Sequence, residues 1–290
     1  MRPSEKPKGV NILVRGGIKW VELMGSAFIF AAVYLLLYTS YDLTTALAAK
    51  HFGMKPILFF DRIQYLNQPE AWYPHAVKRT FLSGPLLMIL IGSFSFLFYI
   101  VFRKTYVFLR LFLLWTSLIS FGILGQRTLS IPFDSRYEIG IFSAYMYYEQ
   151  TTNYALAFLG FMLLVLIGLV YAKPFLQSAS SSSQVANDGN RVRFLLFQVI
   201  MPMLAGSLIA FLIPFPSNIV PNSVAFLCCA ITLLVVFIRG LTMGPVKIPK
   251  QTRWERWPIV PSILLAAVVV LYRVVLTIGV QIPDPNILFP

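Results

Sequence analysis

The 290-residue chain is 58% hydrophobic and only 12% charged, with a mean hydropathy of +0.74. Soluble domains carry about a quarter charged residues, so a water-soluble globular protein is excluded and a polytopic membrane protein is the expected class. The formal net charge of +13 comes from Lys and Arg scattered between apolar runs, which fits topology signals and contacts to anionic lipid but no nucleic-acid groove.

A helix needs about 20 apolar residues to cross a hydrocarbon core of about 30 Å. Uncharged runs predict spans near 21–41, 81–102, 107–126, 151–172, 194–213, 222–238 and 258–280. The expected fold is an all-α transmembrane bundle of about seven spans, with six or eight as the alternatives. The basic segment before the first run is too long for a cleaved signal, despite the cleavage-like Ala46-Leu47-Ala48, so a retained span is expected. Residues 60–81 mix Trp, Tyr and charges and read as an interfacial loop or short helix lying on the membrane. The Tyr-rich stretch 135–154 reads as an aromatic belt before the fourth span. Residues 176–193, LQSASSSSQVANDGNRVR, read as a polar linker unable to bury itself. It divides a four-helix half, 1–175, from a three-helix half, 194–290, and the two halves are expected to pack together. The fifth and sixth spans are split by Pro214, Pro216, Asn218 and Pro221.

With the N-terminus in the cytoplasm, sixteen Lys and Arg fall on the inner side and seven on the outer: Lys50, Lys55, Arg62, Lys78, Arg79, Arg127 and Arg136. The bias supports a cytoplasmic N-terminus and an outer C-terminus, although the first outer loop is unusually basic. The expected setting is a bacterial inner (plasma) membrane, with the lipid bilayer itself as the main partner and a membrane protein as a second. The adjacent Cys228 and Cys229 lie in an apolar run and read as small apolar fillers. RWERW, residues 253–257, reads as the basic, aromatic edge of a helix.

Charged residues within spans are costly and mark functional sites by default. Asp42 closes the first run, with Tyr41 and Thr45 one helical turn apart on one face beside it. Ala46, Ala48 and Ala49 keep the next turn slim for a neighbouring helix. Arg273 lies about fifteen residues into the last run and reads either as a contact within the bundle, partnered by Asp42, Glu138 or Glu149, or as a side chain snorkelling to the interface. An aspartyl-protease pair finds only Tyr41-Asp42, because no Gly-x-Gly-Asp occurs.

TALAAKHFGMKP, residues 45–56, resembles the continuation of the catalytic helix in site-2-type intramembrane zinc metalloproteases. Leu82-Ser83-Gly84-Pro85-Leu86 is similar to that family's small-Gly-Pro-Leu motif, and Tyr137-Glu138-Ile139-Gly140 to its third-ligand region. The resemblance covers about residues 20–172. It implies that Asp42 stands at the general-base position and Glu138 at the acidic-ligand position, as remnants of a catalytic site. Tyr41 and Thr45 stand where the two imidazoles belong, and hydroxyls do not replace them as zinc ligands at neutral pH. A site rebuilt from His51 and His75 is a remote possibility, because neither falls in register. No metal and no cofactor is therefore expected. The leading expectation is a non-catalytic relative binding a membrane partner or helix. The alternatives are a transporter or channel with a polar path lined by Asp42, Glu138 and Arg273, and an active intramembrane protease with a nonstandard site. The family places this motif toward the cytoplasm, against the charge bias.

Overall fold

The structure, a computed structural model, describes residues 20–66, 72–102, 107–133, 138–179, 181–214, 219–248 and 258–282. Among the described residues, six helices are long and apolar enough to cross a bilayer, and a seventh apolar helix is shorter. In chain order they are α1 (Trp20–His51), α2 (Pro74–Phe102), α3 (Val107–Leu129), a short surface helix α4 (Glu138–Tyr145), α5 (Gln150–Gln177), α6 (Asp188–Leu195) running through a π-helical turn into α7 (Met201–Leu212), α8 (Ile219–Thr242) and α9 (Ile259–Val270) with its own π-helical turn Leu271–Val275. Pro202 explains the first π turn, since it brings no amide to the ladder.

The apolar runs dictate these helices because the bilayer leaves no water for backbone groups, so each span satisfies its own. The bundle is layered. In α1 and α3, 72% and 78% of the apolar core is buried, against 28% in α2 and 39% in each of α5, α6–α7 and α8. α1 touches α2, α3, α7 and α9, and α3 touches α1, α2, α5 and α8. These two are the inner helices, and the others face lipid with residues such as Leu90, Leu159 and Leu208. One aromatic core runs between them. Trp115 of α3 meets Phe30 edge-on at 5.1 Å and Phe175 at 5.2 Å, and its Nε1 donates to Ser26 Oγ at 2.9 Å.

α1 is longer than the apolar run that predicts it. It continues past residue 41 to His51 and ends in a left-handed glycine turn, Gly53 at φ +80°. Met54 N–H donates to Ala49 O and Gly53 N–H to Lys50 O, while Met54 packs on Ala49. This double closure satisfies the last carbonyls and stops the helix.

Between α1 and α2, a hairpin of β1 (Pro56–Leu58) and β2 (Ile63–Tyr65) forms, and β3 (Val280–Gln281) joins β1 antiparallel with Ile57 opposite Gln281. Residues 63–65 are thus a strand and 74–81 the start of α2, where the sequence suggested, for 60–81, an interfacial loop or a short helix lying on the membrane. The sheet also puts the end of α1 and the chain after the last helix at one end of the bundle, which requires an odd number of crossings. Seven fits.

The Ser-rich stretch is shorter and better buried than its composition implies. α5 extends to Gln177 and α6 starts at Asp188, while Ala179, Val185 and Arg191 are buried. Arg191 explains the docking: its guanidinium donates to the carbonyls of Val185, Gly240, Leu241 and Met243, capping the C-terminus of α8. The two halves share one core, and α1 packs on α7 and α9. The cysteines are free, buried fillers. The RWERW segment and Tyr137 lie outside the described residues.

Candidate functional site

α1 has 32 residues and so spans about 48 Å, which puts Asp42 about 14 Å, nine residues, from its C-terminal end. Asp42 is 5% exposed, and Arg127 of α3 is 2% exposed. The Arg127 guanidinium lies 4.9 Å from the centre of the Tyr41 ring and 5.3 Å from that of Tyr38. A desolvated cation over tyrosine faces gains about 2 kcal/mol from the ring quadrupoles. The larger effect is charge balance: a lone buried ion is strongly destabilising, whereas opposite charges sequestered together offset each other's lost hydration. Asp42 and Arg127 flank the same tyrosine, so the centre holds one acid and one base.

Tyr272, on the π turn that ends the last helix, closes a third side. Its hydroxyl donates to Leu35 O at 2.9 Å and accepts from Thr39 Oγ1 at 2.8 Å. Asp42 is within electrostatic reach of that hydroxyl, and Arg127 of Tyr34. Tyr34, Tyr38 and Tyr41 follow one another up α1, and all three are buried.

α2 closes the fourth side through its glycine. A Cβ at Gly84 would stand 2.7 Å from the Tyr41 ring, so only glycine lets the helix approach. The seam continues by fours toward the sheet, with Tyr41, Thr45 and Ala49 on α1 running antiparallel to Gly84, Thr80 and Ala76 on α2, all fully buried or nearly so. Small residues at this spacing are how membrane helices pack closely. Ser83 Oγ donates to Thr80 O at 2.7 Å and approaches Thr44 O at 3.4 Å, bridging the pair.

Tyr41 and Asp42 are therefore in the centre, and Thr45 is beside it with its hydroxyl turned back onto the Tyr41 carbonyl at 3.1 Å. Arg273 is not. It is exposed, while its neighbour Tyr272 points into the bundle, so the last helix contributes a phenol rather than a guanidinium. Glu138 opens α4, which packs on α2 and α3, but its side chain lies outside the described residues. Glu149 is exposed at the start of α5. His51 and His75 are exposed at the sheet end, on either side of Phe52.

The residue that sequence reasoning missed is Arg127. It stood just past a run ending at 126 and was counted as a flanking charge. The missed signal is its register, because Ile119, Ile123 and Arg127 form one buried stripe four residues apart.

The centre does not fit a zinc ion. Tyr41 and Thr45 offer hydroxyls, which are poor zinc ligands at neutral pH, and the Arg127 guanidinium already holds a positive charge against Tyr41. Among the described residues no three His, Cys, Asp or Glu side chains are grouped to hold a metal. No family model, curated protein or solved structure matches the chain.

Proposed function

We infer that this multi-pass integral membrane protein is a non-catalytic relative of the site-2-type proteases, and that a membrane partner's helix docks along α2 beside the Asp42–Arg127 centre. The observation that supports this reading is the contact between Tyr41 and Gly84. It joins the two segments that resemble that family, while the side chains at the imidazole positions are committed elsewhere, Tyr41 to packing and Thr45 to its own helix. α2 is the least buried long helix and presents Leu86, Leu90, Phe94 and Leu97 outward.

Two measurements test the reading. Elemental analysis of the purified protein is expected to find far less than stoichiometric zinc; a full equivalent, lost on changing His51 or His75, overturns the non-catalytic part. A photoreactive residue at Leu90 is expected to give a discrete protein adduct in native membranes, unlike one at Leu159 on α5. Equal lipid-only labelling at both positions overturns the docking part.

A translocation path is the second reading, favoured by the acid and base buried within the spans. It has lost Arg273 as a lining residue. Ion or solute flux into liposomes that Asp42→Asn abolishes, with the thermal midpoint retained, would favour this reading over the first.

A further inference from the structure

At the end of the bundle that carries the sheet, the start of α2 exposes a run of basic side chains, His75, Lys78 and Arg79. The glycine turn after α1 folds the chain so that Met54 and Ala49 touch Ala76 at the start of α2. Phe52 then lies 5.2 Å from the His51 ring, 6.2 Å from the His75 ring and 6.3 Å from Tyr73. His51 and His75 beside it are exposed, as are Lys78 and Arg79 on the next turn of α2 and Lys55 and Arg62 on the hairpin segment. Asp61 is half-buried on the hairpin, and Glu149 is exposed beyond α4, whose Tyr145 hydroxyl donates to Trp72 O; in the sequence Glu70, Asp134, Glu138 and Asp284 also belong to the segments that flank this end.

The cations that lie closest together in sequence and on one helix are those of α2. The first two turns of α2 bury Ala76, Val77 and Thr80 and expose His75, Lys78 and Arg79. A helix start favours acidic side chains, and α2 has none in its first turn. Basic groups there repel the helix dipole and one another unless an anion sits among them. Height selects the anion. The exposed apolar face of α2 begins at Leu86, seven residues and about 10 Å below Arg79, so the patch lies where α1 and α2 leave the hydrocarbon.

We propose that this surface binds the phosphodiester headgroups of anionic phospholipid, with Lys78 and Arg79 as the principal contacts and Tyr73 and Phe52 seated at the interface beside them. The site is distinct from the Asp42–Arg127 centre and holds under either reading of that centre.

The test uses the full chain in vesicles of phosphatidylcholine with and without phosphatidylglycerol. Lipid retained through detergent extraction is counted by native mass spectrometry, and contacts are mapped with a photoreactive phosphatidylglycerol. The wild type is expected to retain phosphatidylglycerol, with crosslinks in residues 50–79. The double variant Lys78→Gln/Arg79→Gln is expected to bind it about tenfold to thirtyfold more weakly, as for two lost surface cations. The charge-keeping variant Lys78→Arg/Arg79→Lys is expected to bind as the wild type does, which separates charge from folding. Equal retention by wild type and double variant, crosslinks confined to the opposite end, or displacement of the lipid by inorganic phosphate or an acidic peptide at concentrations that leave bulk headgroup contacts intact would each overturn the proposal.

Discussion

Two regions of the molecule bury arginines and use them differently. At the centre beside Asp42, Arg127 lies over tyrosine rings with an acid nearby. At the opposite end of the bundle, Arg191 gathers four backbone carbonyls, and Arg110 donates to Ser178 O beyond the end of α5. The second use is structural: a planar fork satisfies the carbonyls that a helix C-terminus leaves open. The first sets a charge over aromatic rings in the interior, beside a buried acid on the neighbouring helix. A buried cation becomes informative only when its surroundings show whether it serves the chain or something else.

Substitutions sharpen this contrast. The largest effect is expected at Arg127→Ala, a loss of about 3–5 kcal/mol because a buried acid is left behind; detergent thermal shifts measure it. Adding Asp42→Asn is expected to recover more than about 1 kcal/mol, and strict additivity would break the idea of a shared charge centre. Next comes Arg191→Lys, about 2 kcal/mol, since an ammonium does not span the carbonyls the fork reaches. Arg127→Lys, which keeps the charge, is expected to lose less, and the reverse order would erase the distinction between the two uses. Tyr272→Phe removes both hydrogen bonds of its hydroxyl with α1, about 1 kcal/mol net because Thr39 Oγ1 keeps Leu35 O as an acceptor. Arg273→Gln, on the exposed side of the same turn, is expected to fall within about 0.5 kcal/mol of wild type.

The seven crossing helices were legible because uncharged runs of the right length leave a chain in lipid few other solutions. Their ends were less so. α1 outruns its apolar stretch by ten residues, to His51, because its polar residues are satisfied internally: Ser40, Thr44 and Thr45 donate to carbonyls one turn back. The three strands were hidden, since segments of two or three residues amid Trp, Tyr and charges show no alternation. At the centre, Asp42 and Tyr41 stood out by their chemistry. Arg127 did not, because a charge one residue past an apolar run looks like a flank until packing assigns its face. Arg273 stood out for its depth, and depth along a helix says nothing about which way a side chain turns.

The small sheet has a consequence for how the chain is assembled. Gln281 pairs with Ile57 at a separation of 224 positions (281 minus 57), so the hairpin after α1 stays open along one edge until α9 and the strand after it have been made. Its closure is a latch that waits for α9 to be threaded, and a chain stalled before Val280 would show a bare strand edge at the bilayer surface.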